Sequence, residues 1–140
     1  MNLPLDIHAF IWFFNGDELL SSTLKNLITD TSNKCFLSIA SIWEIAIKSS
    51  FNKLKLQGSF DQIVGFIKEN DVEVIPITFK HVQRLLYLDF YHRDPFDRII
   101  IAQAFSEDLV VATKDTIFSS YGVNVIWNKP AGNIAFKQLG

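Results

Sequence analysis

The sequence predicts a three-layer α/β/α sandwich on a mostly parallel sheet, and three observations carry that expectation. Short apolar runs of strand length alternate with amphipathic segments along the chain, the pattern of successive strand–helix units covered on both faces. Apolar residues make up 49% and charged residues 20%, which argues for a well-filled core and against long disordered tails. The 140 residues contain no internal repeat, low-complexity tract or Gly/Ser linker, so a single domain over 1–140 is expected.

The elements follow in order. Leu3 to Asp6 reads as the first strand, with Pro4 an awkward member because it has no amide to donate. His8 to Phe14 reads as a short helix ended by Asn15-Gly16. Ser21 to Thr29 is a helix with Ser21 or Ser22 as its N-cap. Phe36 to Ser38 is the second strand and Ala40 to Phe51 a strongly amphipathic helix. Lys53 to Leu56 reads as a brief extended piece closed by Gly58-Ser59. Phe60 to Glu69 is a helix, Val72 to Ile75 the third strand, and Phe79 to Leu86 another helix. Asp94-Pro95-Phe96-Asp97 has the grammar of a helix start: Asp94 as N-cap, Pro95 first in the helix, and Asp97 near the positive end of the helix dipole. That helix runs to about Glu107. Leu109 to Thr113 and Asn124 to Trp127 complete the strands.

Lys and Arg number 13 against 15 Asp and Glu, for a net charge of −2. This speaks against a basic nucleic-acid coating protein but not against a nuclease, because a cation can supply positive charge at a scissile phosphate. The one cysteine, Cys35, excludes an intrachain disulfide framework and a multi-cysteine zinc site, and its apolar surroundings suggest a buried inert thiol. No run reaches the roughly 18 apolar residues of a membrane span. The apolar start, Met1 to Phe14, lacks a basic region and is interrupted by Asp6 and His8, so a signal peptide is not expected and a cytoplasmic protein is.

In a parallel α/β sheet, sites form outside the carboxyl ends of the strands, and the acidic residues fall there. Asp6 ends the first strand, and Glu44 lies one turn into the helix after the second. Asp94 and Asp97 open the helix before the fourth strand, and Asp115 follows that strand. Carboxylates converging at one edge repel without a counter-ion, and an oxygen-only set suits Mg²⁺ or Mn²⁺. Each residue also has a purely structural reading. Asp6 can be a turn or cap residue, and Asp94 is fully explained as the N-cap before a proline. Asp115 can cap the turn Thr116 to Ser119. Glu44 can pair with Lys48 at i+4, an arrangement worth only about 0.2–0.5 kcal/mol on a helix surface, although its apolar neighbours Trp43 and Ile47 suggest a half-buried carboxylate.

The run Leu5-Asp6-Ile7-His8-Ala9-Phe10-Ile11-Trp12 resembles the opening of PIN-domain toxins of the VapC type. So do Ser38-Ile39-Ala40-Ser41-Ile42-Trp43-Glu44-Ile45-Ala46-Ile47-Lys48 and His92-Arg93-Asp94-Pro95-Phe96-Asp97-Arg98, the latter continuing into Ile99-Ile100-Ile101-Ala102-Gln103-Ala104. Ala112-Thr113-Lys114-Asp115 and Val125-Ile126-Trp127 extend the similarity over nearly the whole chain. The resemblance implies a PIN-like fold and a Mg²⁺- or Mn²⁺-dependent endoribonuclease, the toxin of a type II toxin–antitoxin pair. It carries the family's acidic residues over to Asp6, Glu44, Asp97 and Asp115, with Asp94 as a second-rank ligand from a subgroup version of the motif. Asp6 and Asp97 would bind the ion, and Glu44 and Asp115 would hold its waters or a second ion. Arg98, Arg93 and Lys48, with Lys114, flank these positions and could meet the RNA backbone. His8 and His92 adjoin the site, His8 with packing or hydrogen bonding as its expected role. The same resemblance implies a homodimer and a cognate antitoxin seated on part of the stripe Ile39, Ile42, Trp43, Ala46, Ile47, Phe51 and Leu54, for which core packing is the default reading.

Two positions depart from the family. Ile7 stands where a small hydroxyl residue usually follows the first Asp, and Pro4 replaces an ordinary strand residue. These make a catalytically weakened domain that only binds protein or RNA the alternative. A DNA-directed nuclease of the same fold is a further one. A receiver-like or phosphohydrolase domain fits poorly: Asp6 has no adjacent acid, the third strand ends in Pro76, and His8 stands where a phosphohydrolase would carry a second Asp.

Overall fold

The computed structural model describes residues 1–91 and 93–127; His92 and residues 128–140, the end of the expected 1–140 domain, lie outside the described part. The strands are β1 (Asn2–Leu5), β2 (Lys34–Ser38), β3 (Val72–Ile75), β4 (Val111–Ala112) and β5 (Val125–Ile126). The α-helices are α1 (Ile7–Asn15), α2 (Ser22–Thr29), α3 (Ile39–Ser50), α4 (Gln62–Glu69), α5 (Phe79–Arg84), α6 (Pro95–Glu107) and α7 (Thr116–Ser120), with a 3₁₀ turn over Leu85–Tyr87. All strands are parallel, in the order β3-β2-β1-β4-β5.

Side chains alternate across this sheet and feed two cores, one on each face. Leu3 and Leu5 of β1, Cys35 and Leu37 of β2 and Ala112 of β4 pack with α1, α2 and α4 through Phe10, Leu24 and Ile63. On the other face Val111 packs with α6 and α7 through Ile101, Ala104 and Phe118. The expected three layers follow. Phe10 is fully buried at the centre of the first core, 5.9 Å from the Phe66 ring in an edge-on contact, and Phe13 and Phe14 meet the same ring from α1. This aromatic set ties α1 to α4.

Local chemistry explains the helix ends. Ser21 caps α2 by accepting from the Leu24 amide, and Thr78 caps α5 in a box closed by His81. Gly16 ends α1 at φ +65°, a left-handed conformation that costs a residue without Cβ little. The expected Asn15-Gly16 stop is thus in place.

Pro4 sits in the central strand without breaking it. Its neighbour on one side is Phe36 of β2. The Asp6 amide donates to Ala112 O at 3.0 Å, and alternate amides of a strand face the same neighbour. The missing amide of Pro4 therefore falls on the β4 side, where the β1–β4 ladder holds only the pair Leu5 and Ala112. The proline removes a bond from a ladder that is already short.

The expected extended piece at Lys53–Leu56 is not a strand: the chain there is irregular with a bend at Leu54, and Leu54 and Leu56 pack against the first core. Strands four and five are shorter than expected, and Phe79–Leu86 divides into α5 and the 3₁₀ turn. Cys35 is buried, and burial pushes its thiol up to about 11, which makes it inert as expected. Among the described residues no helix is long and apolar enough to cross a membrane. Phe10→Ala should lower unfolding free energy by about 3–5 kcal/mol in denaturant titrations, whereas truncating the exposed Phe79 should change it by less than about 0.5 kcal/mol.

Candidate functional site

The strand order reverses between β1 and β4, and a doubly wound sheet opens its binding crevice at that point, beyond the carboxyl ends of the strands. Asp6 leaves β1 there and Thr113 leaves β4. The Asp6 side chain is 5% exposed. Its Oδ1 accepts from the Ala9 amide at 2.7 Å, which makes it the N-cap of α1. Its Oδ2 accepts from the Thr113 hydroxyl at 2.5 Å. Thr113 Oγ1 in turn accepts from the Asp115 amide at 3.0 Å, and Asp115, exposed, caps α7 by accepting from the Ile117 amide.

Burial pushes the Asp6 carboxyl above its ordinary value, because the charged form loses its water. The Thr113 and Ala9 hydrogen bonds and the charge of His8 pull it down, and the negative charge of Asp115 pushes it up. Asp115 is thus close enough for the two carboxylates to feel one another.

Glu44 arrives from α3, which Ser38 caps by accepting from the Ala40 amide at 3.1 Å. The residue is 4% exposed. Its Oε2 meets Lys48 Nζ at 2.6 Å, the expected i+4 pair, while Oε1 is buried with no hydrogen-bond partner. Ser41 Oγ, one turn earlier on the helix, is buried and unpartnered as well. Buried polar atoms left so are uncommon and costly, and two on one turn mark a place suited to a polar occupant.

Asp97 lies half-buried in the first turn of α6. Asp94 takes the N-cap role expected of it: its Oδ1 accepts from the Phe96 amide at 2.8 Å and the Asp97 amide at 3.3 Å. The Trp43 and Phe96 rings meet edge to face at 5.1 Å, so the turn carrying Glu44 faces the turn carrying Asp97.

The cationic residues divide. Arg93 and Lys114 are exposed. Arg98, expected at an RNA backbone from its place in the motif, is instead 9% exposed and turned inward. Its Nη1 donates to Asp89 O at 2.9 Å and to the Tyr121 hydroxyl at 2.8 Å, and its guanidinium lies 4.2 Å from the Phe90 ring centre. Arg98 therefore braces the segment before α6 against α7, because the Asp89 carbonyl, the Tyr121 hydroxyl and the overlying Phe90 ring together take up its guanidinium. His8 is exposed, with its ring 5.9 Å from Trp12, consistent with a packing role.

Among the described residues no three acidic, histidine or cysteine side chains are gathered tightly enough to hold one cation as they stand. The reason is local: Asp6, Asp94 and Asp115 turn back onto helix N-termini, and Glu44 turns onto Lys48. The donor set nonetheless fits a hard divalent ion, since it is all oxygen, Asp6 is a desolvated carboxylate, and Glu44 Oε1 is unpartnered. A carboxylate that accepts two hydrogen bonds, as Asp6 does, retains lone-pair capacity for an ion. A separate cleft of about 470 Å³, lined by Glu73, Pro76, Thr78, His81 and Glu107, contains none of these residues.

An all-parallel sheet with acidic side chains at its switch point defines a doubly wound α/β domain with a candidate cation site. The chain belongs to the PIN-domain family, whose sequence profile matches residues 4–124. In fold it is similar to VapBC2 from Rickettsia felis, solved bound to a DNA fragment from its promoter, at TM-score 0.67 and 16% identity, with 91% of this chain and 100% of that chain covered. It is also similar to FitAcB from Neisseria gonorrhoeae, at TM-score 0.61 and 19% identity over 89% of this chain and 96% of that one. A toxin–antitoxin complex from Klebsiella pneumoniae matches at TM-score 0.61 and 17% identity over 89% and 95%. No curated protein matches significantly.

Thr113 and Tyr121 are contributors to this region that the sequence reading passed over. A hydroxyl residue two before Asp115 was the available signal for Thr113; nothing local pointed to Tyr121. A carboxyl raised on folding contributes stability below the ordinary aspartate value of about 3.9, and that contribution is lost as pH rises through the folded value. Asp6→Asn, measured without divalent cations, should therefore unfold at a higher temperature than the unaltered protein at neutral pH, with the gap shrinking on acidification. Thr113→Val should cost about 1–3 kcal/mol by leaving Asp6 Oδ2 without its donor. Thermal scans over a pH series check both.

Proposed function

We propose that this chain is a Mg²⁺- or Mn²⁺-dependent endoribonuclease, the toxin half of a type II toxin–antitoxin pair acting in the cytoplasm. The observation that carries the reading is the buried, desolvated Asp6 at the switch point, together with the buried and unpartnered Glu44 oxygen on α3. Membership of the PIN family and folds shared with toxin–antitoxin proteins support it.

Asp6 and Asp97 would hold the ion, with Glu44 and Asp115 supporting its waters or a second ion and Asp94 in reserve. When bound, such an ion activates water for in-line attack on a phosphodiester and offsets charge on the phosphate. The protein's own contribution is positional. Thr113 and the Ala9 amide fix both oxygens of Asp6, and the Trp43–Phe96 contact holds the α3 and α6 turns together. Arg93, exposed beside Asp94, and Lys48 of α3 would meet the RNA backbone, and Arg98 would act by bracing the segment before α6, which carries Arg93.

The protein partners follow from the surface of α3. Ile39, Trp43 and Ile47, spaced one turn apart, and Phe51 beyond them leave apolar area exposed, Trp43 at 59%. An antitoxin segment seated on this stripe, and a homodimer, would cover what a monomer leaves in water.

A second reading, a PIN domain that only binds protein or RNA, is favoured by one observation: Asp6, Asp94 and Asp115 are engaged as helix caps and Glu44 with Lys48, and among the described residues no three such side chains are gathered around a common point. Cleavage decides between the two. Asp6→Asn and Asp97→Asn should each reduce Mg²⁺- or Mn²⁺-dependent RNA cleavage by about 100-fold or more while circular dichroism stays unchanged. Cleavage unaltered in both variants would remove the nuclease reading.

A further inference from the structure

The Glu44–Lys48 pair is unlike an ordinary surface pair at i+4. The Glu44 side chain is 5% exposed and the Lys48 side chain 39%, so a buried anion faces a cation that still reaches water. Only one carboxylate oxygen is engaged, Oε2 at 2.6 Å from Nζ, while Oε1 is buried and unpartnered. A buried carboxylate is costly without a nearby positive charge, and among the described residues Lys48 is the only cation that forms an ion pair with Glu44. Lysine carries that charge on a flexible four-carbon stem, which lets it leave without disturbing the backbone.

We propose that Lys48 is a built-in stand-in for the metal: it balances Glu44 until a divalent cation arrives, and the cation displaces its ammonium from the carboxylate. The proposal rests on the metal-dependent reading above and adds a positioning role for a residue otherwise assigned only to RNA contact. The two occupants compete because they are like charges drawn to one side chain. An ammonium 2.6 Å from Oε2 repels a divalent ion approaching Oε1. Once displaced, the ammonium stays on a stem rooted one helical turn from Glu44 and is free to meet an RNA phosphate. Cation binding and RNA binding are then coupled through a single side chain, and the domain presents its full positive charge to RNA only when the metal is in place.

The test is Mn²⁺ binding by the full chain, followed by electron paramagnetic resonance of the free ion, for the unaltered protein, Lys48→Met and Lys48→Arg. Lys48→Met should bind Mn²⁺ about tenfold more tightly, and Lys48→Arg, which keeps a counter-ion, should match the unaltered protein within about twofold. Equal or weaker binding by Lys48→Met overturns the stand-in role while leaving the nuclease reading intact. Absence of Mn²⁺ binding in all three removes both. Should Lys48→Met fail to fold, lysine-labelled unaltered protein supplies the answer by nuclear magnetic resonance. The Lys48 ε-carbon signal should move toward that of exposed lysines as Mg²⁺ is added, and a signal unmoved at saturation overturns the proposal.

Discussion

A buried carboxylate at the point where strand order reverses is the constraint on which the rest of this domain turns. Asp6 must be taken out of water to sit between β1 and β4, and burial raises the cost of its charge. The protein answers with donors aimed at both oxygens: an amide from the helix that the residue itself caps, and a hydroxyl from the neighbouring strand end. One side chain thus starts α1, joins β1 to β4 and orients the Asp115 turn through Thr113. A carboxylate held by one bond on each oxygen keeps lone pairs to spare, and this is why a cap reading and a ligand reading of Asp6 do not exclude each other.

The second acidic element is stabilised differently. Glu44 is held by packing, with Trp43 against Phe96 on one side of it in sequence and the buried Ile45 on the other. Its charge is met by a single partner on its own helix. Asp6 is therefore fixed by one local contact and one distant in sequence, and Glu44 by a single ion pair on its own helix. Asp94 and Asp97 show a third arrangement, in which the cap precedes a proline that starts the helix and the second acid follows in its first turn.

Much of this was legible in the sequence because it is locally encoded. Asp94-Pro95, Asn15-Gly16, the pairing of Glu44 with Lys48 and the alternation of strands with helices are properties of a few adjacent residues, and each fell where expected. What escaped was set by tertiary contact. Arg98 looks like a surface cation in its motif, yet the Phe90 ring of the preceding loop and the more distant Tyr121 hydroxyl cover and hold it. Thr113 reads as the last residue of a strand until the fold brings it to Asp6. Ile7 lacks the hydroxyl expected beside the first acid and is buried in the core; the hydroxyl that reaches Asp6 comes from the end of the neighbouring strand. The extended reading of Lys53–Leu56 failed because apolar residues can close a core from a loop as well as from a strand.

Pro4 has a mechanical consequence. β1 is joined to β2 through four residue pairs but to β4 through one, and the proline withholds an amide from that thinner side. The sheet is two leaves, one of three strands and one of two, stitched along a seam with few threads. Regions with few backbone bonds open at lower free energy than their surroundings. This thin join runs beside Asp6 and Thr113, so any breathing of the leaves along it is felt at the carboxylate that caps α1.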